Sequence, residues 1–280
     1  MLIVNPRASR VTDALVAAVE RALAPDDVLR TERPGHAREQ AEELGAATIF
    51  VFGGDGTFNE ALNGADPDAT LAFLPGGGTN VLTRALGLPH DPVEAATRLA
   101  AGSPRRISLG RVNGRRFGFA AGLGFDAELL RRAGRSRRGR RRSDLGTLWA
   151  ALGLLAERRG QFEPALEIRG QGEAAFALVA NADPYTYVGG MPLRVARGTR
   201  FESGLDLVAP RRLGPRGYPA AVRYLLTGSG GLDLVRGRDL DRIEIICREP
   251  TALQADGEDL GDVTEAVFEA ERDAVSVLVG

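Results

Sequence analysis

The stretch VFGGDGTFNEALNG, residues 51–64, sets three glycines, one Asp and one Thr in a five-residue turn between an apolar run and a helix-like run. Outward from it, the first hundred residues repeat one pattern: a short apolar run, a polar or glycine turn, then a segment of helical spacing. LIV leads through NPRASR into VTDALVAAVERALA, where Leu15, Val19 and Leu23 share one face. DVLRT precedes a helix over about 35–44, ATIFVF enters the opening turn, and TLAFLP enters GGGTN before VLTRALG, with Gly87 as its stop. Strands alternating with helices make a parallel sheet with right-handed crossovers, and ligands then bind beyond the carboxyl ends of the strands. The glycine turns lie at those ends.

After about residue 105 the texture changes to short alternating runs with Gly and Asp turns, such as RISLGRVNGRRFGFAAGLGF, ALEIRG, GLDLVA and DRIEIICREP. This predicts a mainly antiparallel second domain with one helical insertion, roughly 145–157. The expected fold class is therefore α/β, with an N-terminal parallel-sheet domain over 1–106, which the strand-like 274–280 can complete, and a β-sandwich-like, β-rich domain over 107–273. An Arg-rich, helical insertion falls near 127–160.

Composition narrows the function. The chain has 280 residues, 44% hydrophobic and 26% charged, with no apolar run of membrane-spanning length. MLIVNP is too short for a signal peptide, so a cytoplasmic location is expected. The single cysteine, Cys247, cannot form an internal disulfide and reads as buried core. His36 and His90 have no metal-ligand spacing. The formal net charge of −1 hides an asymmetry: RRAGRSRRGRRR, residues 131–142, holds eight Arg and no acid, leaving −9 elsewhere. Every basic side chain apart from the histidines is Arg. With no Lys, neither a Walker A loop nor a protein-kinase strand lysine is available, so those two phosphoryl-transfer architectures are excluded.

Glycines after a strand let backbone N–H groups approach an anion, and the following helix N-terminus adds partial positive charge. Two such turns, 53–57 and 76–79, follow successive strands and suit one polyphosphate. Asp55 inside an anion-binding loop points to Mg²⁺ or to a proton-handling role. Alternatively Asp55, or equally Thr57, caps a helix starting near Phe58.

The ordered set GGDGTFNEALNG, LPGGGTN, GLGFDAE and DGE resembles the catalytic domain of diacylglycerol kinases and related lipid kinases, including sphingosine kinases, from NPRAS at residue 5 to DGE at 256. GGDGT alone is shared with NAD kinases and phosphofructokinases. The resemblance implies an ATP-binding α/β domain and a β-sandwich-like domain, with ATP and lipid meeting in the cleft between them. It places ATP against Asn5, Pro6, Arg7, Ala8, Ser9, Thr31, Gly53, Gly54, Asp55, Gly56, Thr57, Asn59, Glu60, Gly77, Gly78 and Thr79. Asp55 would help organise Mg²⁺ and the γ-phosphate, and Glu258 would be the general base for the lipid hydroxyl. ADGED also reads as a hairpin turn, and both can hold at once. Asp126 would recognise the lipid head group or cap the helix that follows it.

Three departures bear on substrate and metal. Val81 and Ser108 stand where the family often has Asp, and only Glu202 and Asp206 remain of a structural Mg²⁺ site found in some members, so that metal is not expected. The Arg run suits an anionic bilayer; its alternatives are a solvated loop and nonspecific nucleic-acid contact, ranked last for want of interleaved aromatics. LGTLWAALGLLAERRG, with Trp149, lines a lipid entrance or is ordinary core. The expected activity is an ATP- and Mg²⁺-dependent lipid kinase, with diacylglycerol as first substrate and a sphingoid base or other lipid alcohol as the alternative. Two rivals are an NAD kinase-like soluble kinase and a non-catalytic nucleotide-binding regulator. A peripheral membrane association follows, with room for a homodimer.

Overall fold

The computed structural model describes residues 1–135, 157, 159–188 and 191–280. The chain divides into two compact units, Met1–Leu109 with Glu271–Gly280, and Gly110–Ala270. Of the helix expected over 145–157 all but residue 157, and most of the Arg run, lie outside the described residues.

The first unit runs β1 (Leu2–Val4), α1 (Asp13–Leu23), β2 (Val28–Arg30), α2 (His36–Leu44), β3 (Thr48–Gly53), α3 (Asp55–Gly64), β4 (Thr70–Pro75), α4 (Val81–Ala85) and α5 (Pro92–Ala100). Strands β1–β4 pair in parallel, in the order β2-β1-β3-β4. The end of the last strand, β16 (Glu258–Val279), adds Ser276 and Val277 beside Thr70 and Leu71. The continuous apolar runs read as strands because both sheet faces are covered by helices. Phe52, Phe58 and Phe73 are fully enclosed, with the Phe58 and Phe73 rings 5.1 Å apart. Each such side chain contributes about 1.5–3 kcal/mol on burial. On α1 the buried residues are Val16 and Val19 rather than the Leu15, Val19 and Leu23 face, so the stripe is rotated by one position.

The second unit begins within β5 (Ser103–Val112) and continues β6 (Arg115–Phe117), β7 (Ala120–Leu123), α6 (Phe125–Arg135), β8 (Leu166–Ile168), β9 (Gly172–Ala174), β10 (Ala177–Ala180), β11 (Thr186–Val188), β12 (Met191–Leu193), β13 (Leu205–Pro210), α7 (Tyr218–Thr227), β14 (Leu234–Leu240), β15 (Arg242–Ala255) and the start of β16. Its main path, β14-β13-β10-β7-β15-β16, is antiparallel throughout. Leu123, Val179, Leu207, Ile245, Leu253 and Phe268 form its core. Cys247 is buried in β15, and burial pushes its thiol up, consistent with an inert core residue. Helix α7 is an addition to the elements expected from the sequence. It starts with Pro219 in its first turn and stops at Gly228, which is left-handed at φ 78°.

Candidate active site

The glycine turns of the first unit are built on each other. β3 and β4 are parallel neighbours in register, Gly53 beside Pro75, so their exits leave side by side. Gly76 N–H donates to the Gly53 carbonyl at 2.6 Å. A Cβ on Gly77 would lie 2.8 Å from the Gly54 Cα, and one on Gly53 would lie 2.7 Å from the Thr57 side chain. Glycine is required at Gly77 because backbone meets backbone. Gly56 and Gly78 differ: a Cβ on Gly56 would meet nothing within 4 Å, and one on Gly78 only the Ser9 Oγ at 4.0 Å, and neither has positive φ. Packing does not demand those two glycines, which leave bare backbone at the surface.

Helix α3 starts at Asp55, not near Phe58, with Gly54 extended before it and no side-chain cap. Neither Asp55 nor Thr57 is the cap, because the helix begins earlier and Phe58 N–H already closes on the Gly54 carbonyl. The side chains are used elsewhere. Asp55 Oδ1 accepts from the Leu82 N–H of α4 at 3.3 Å, tying the first turn to the second. Thr57 Oγ1 accepts from Asn5 Nδ2 at 2.8 Å, tying α3 to the NPRAS loop. The Asn5 carboxamide oxygen takes the Arg7 N–H at 3.0 Å and so shapes that loop.

Together these elements wall a cleft of about 410 Å³, within the usual range of roughly 300–1,000 Å³ for ligand sites. Of the residues expected against ATP, the wall includes Asn5, Arg7, Ala8, Ser9, Thr31, Gly54, Gly56, Thr57, Glu60 and Gly77. Pro6, Gly53, Asp55, Asn59, Gly78 and Thr79 are not in it. Asn59 is buried and bonded to Asn63, while Gly78 and Thr79 are exposed one step beyond Gly77. Glu60 accepts the Ala37 N–H at the start of α2 at 3.2 Å. Arg33 and Pro34, which sequence reasoning missed, complete the wall. The Arg33 guanidinium donates to both oxygens of the Glu39 carboxylate, which raises its pKa. Asn80 was also missed. Left-handed at φ 51° and fully buried, it takes the Gly77 N–H and gives to the Gly77 carbonyl, both at 2.8 Å, and so fixes the second turn.

Val81 and Ser108, which replace the family's common acids, are both buried. Asp206 accepts from the Thr199 hydroxyl at 2.7 Å and the Asp239 N–H at 2.9 Å, so its carboxylate is engaged within the protein. Among the described residues no group of three or more His, Cys, Asp or Glu is arranged to hold a metal.

In the second unit, Ala255 pairs with Glu258 across a two-residue loop, Asp256-Gly257. Both loop residues have positive φ, 48° and 79°, the backbone of a tight hairpin turn. The hairpin expectation for ADGED thus holds, and it sets Glu258 at the head of β16, exposed and ion-paired with Arg115. The buried Asp256 carboxylate accepts the N–H groups of Gly118, Phe119 and Ala120 at 2.6, 3.0 and 3.1 Å. Behind the turn, Asp126 Oδ2 accepts from the Tyr185 hydroxyl at 2.6 Å and from Gln254 Nε2 at 2.7 Å. The carboxamide oxygen of the same Gln254 accepts the Gly257 N–H at 2.9 Å, joining Asp126 to the turn. Asp126 is therefore more than a cap for α6, although its Oδ1 does accept the Ala127 N–H. Burial raises its pKa, opposed by the Tyr185 and Gln254 hydrogen bonds, and burial beside Asp126 pushes the Tyr185 hydroxyl well up. A Cβ on Gly122 would fall 1.9 Å from the Asp126 carboxylate, so glycine is obligatory there.

Of the Arg run, Arg131 pairs with Asp259 and Asp262, and Arg132 with Glu157. Residues 136–142 lie outside the described set. Among the described residues no helix is long and apolar enough to cross a membrane.

Residues 1–112 match the model of the diacylglycerol kinase catalytic domain. The chain is 41% identical over 98 residues to the diacylglycerol kinase of Bacillus subtilis strain 168, covering 34% of this chain and 32% of that protein. It is 40% identical over 122 residues to a Pseudomonas aeruginosa protein named "Probable lipid kinase YegS-like", covering 41% and 40%. These alignments span about a third to two fifths of the relatives' own length. The crystal structure of a diacylglycerol kinase from Bacillus anthracis str. Sterne covers 100% of this chain and 96% of its own, at 24% identity and a TM-score of 0.74, and so shows the same fold. The chain is thus similar to the diacylglycerol kinases and the YegS-like lipid kinases, and residues 1–112 match the diacylglycerol kinase catalytic domain.

Proposed function

We propose that the chain is an ATP- and Mg²⁺-dependent lipid kinase that phosphorylates a lipid alcohol, diacylglycerol first among them, in phospholipid metabolism. The observation that carries this reading is the pair of interlocked glycine turns opening on a cleft, where Gly56 leaves backbone exposed without any packing reason. Such bare N–H groups at the start of a helix suit the phosphates of a nucleotide. Arg7 and Arg33 in the wall supply the positive charge that a lysine supplies elsewhere. Asp55, at the start of α3 beside the cleft, would help hold the Mg²⁺ that ATP brings, which would supply charge neutralisation for the transferred phosphoryl group.

In the proposed step the lipid hydroxyl oxygen forms a bond to the γ-phosphorus as the bond to the departing ADP oxygen breaks. Glu258 takes the hydroxyl proton. Arg115, its ion-pair partner, orients the carboxylate. Asp256, Gln254 and Asp126 fix the turn that carries Glu258. The lipid substrate calls for a peripheral encounter with a membrane surface.

Transfer of labelled γ-phosphate from ATP/Mg²⁺ to mixed-micelle diacylglycerol, monoacylglycerol, sphingosine, ceramide and undecaprenol, with NAD as soluble control, tests the reading. Labelling of a lipid class supports it and names the acceptor. Labelling of NAD alone, or ATP binding with no transfer to any alcohol, overturns it.

A further inference from the structure

Helix α7 presents its apolar stripe outward. Of its ten residues only Tyr224 is buried, whereas a surface helix ordinarily turns its apolar face to the core. Val222 and Leu226, one turn apart, are 56% and 55% exposed, the two most exposed large hydrophobic side chains among the described residues. Helical spacing puts Pro219 and Arg223 on the same face, and both are exposed. The helix is nonetheless firmly held from the other side. The Tyr224 hydroxyl donates to the Val195 carbonyl at 2.8 Å, the Arg236 guanidinium lies 4.9 Å from the Tyr224 ring centre, and Arg197 donates to the Leu226 carbonyl at the C-terminal end.

Charge completes the pattern. Between Asp206 and Asp233 the sequence has no acid and four arginines, Arg211, Arg212, Arg216 and Arg223. Arg211 pairs with Asp233 and Arg212 reaches Glu163, but among the described residues neither Arg216 nor Arg223 forms an ion pair. Both are exposed. A short rigid helix with apolar side chains outward, flanked by exposed guanidinium groups and no carboxylate of its own, has the chemistry of an interfacial anchor for anionic lipid. A second copy of the chain suits the face less well. Ten helical residues offer a strip of about 15 by 10 Å, far below the ~800 Å² per partner of a stable protein interface.

We infer that α7 docks the protein on an anionic bilayer, with Pro219, Val222 and Leu226 entering the acyl boundary and Arg216 and Arg223 meeting lipid phosphates. This rests on the lipid-kinase reading, which requires the protein to reach a substrate held in a membrane.

The test is co-sedimentation of the full chain, without ATP, with vesicles of phosphatidylcholine alone or of an equal mixture with phosphatidylglycerol. Wild type is expected to partition onto the mixed vesicles and poorly onto phosphatidylcholine. Val222→Asp with Leu226→Asp is expected to cut that partitioning about 10-fold or more, and Arg216→Gln with Arg223→Gln to lower it and flatten its salt dependence. Unchanged partitioning of both variants overturns the inference. So does a wild-type dimer that the Val222 and Leu226 substitutions dissolve, which would give the face to a second copy. Because the assay omits ATP, the two ideas fail separately: vesicle binding without lipid phosphorylation removes the kinase reading, and lipid phosphorylation in micelles with unaltered vesicle binding by the variants removes this one.

Discussion

The chain uses Asp-Gly twice beside a candidate catalytic carboxylate, and the two units hold the dipeptide in opposite ways. Asp55-Gly56 opens α3 with ordinary helical backbone, and its surroundings are fixed by missing side chains, Gly54 against Gly77 and Gly53 against Thr57. Asp256-Gly257 turns the β15–β16 hairpin with both residues at positive φ, and a buried carboxylate fixes it by taking three N–H groups from the β6–β7 connection and the start of β7. The same two residues give a helix start or a hairpin according to the segments that flank them. The first turn is therefore sensitive to added volume, and the second to a lost acceptor.

The largest stability effect is expected at Asp256. Asp256→Ala leaves three buried donors unsatisfied and should cost about 3–5 kcal/mol, measured by denaturant unfolding; a loss under about 1 kcal/mol would mean that water replaces the carboxylate. Gly77→Ala comes next, since its Cβ would collide with the Gly54 backbone. Overpacking of that kind costs about 1–3 kcal/mol, and nucleotide affinity should fall with it. Gly56→Ala sharpens the contrast. A methyl has room there and alanine favours the helix, so stability should hold or rise by up to about 1 kcal/mol while ATP binding weakens. Calorimetric titration showing unchanged ATP affinity in Gly56→Ala would remove the bare backbone from the binding site.

The parallel sheet was legible because buried strands and helices alternate in one short period, and the glycine turns because their spacing tracks the strands. What escaped is nonlocal. Asn80 carried one local signal, an Asn after glycines at a position where left-handed backbone is tolerated, but its clamp on Gly77 appears only in three dimensions. Tyr185 and Gln254 lie 59 and 128 positions from Asp126, and no periodicity links them. Helix α7 gave no inward stripe because its apolar residues face out, leaving Pro219 and Gly228 as its only punctuation.

The smallest effect concerns pH. With its pKa raised in the folded protein by burial, Asp126 binds its proton more tightly folded than unfolded. Its contribution is therefore most favourable below the ordinary aspartate value, about 3.9, and is lost as pH rises through the raised folded value. Asp126→Asn should flatten that part of the stability profile; an unchanged slope would place the titration elsewhere.

The most direct test of the account is the rate of phosphoryl transfer to the accepted lipid by Glu258→Gln beside wild type, with ATP affinity measured on both. The account predicts unchanged ATP binding and a rate lower by about 10²–10⁴. Lipid phosphorylation at the wild-type rate by Glu258→Gln would contradict it.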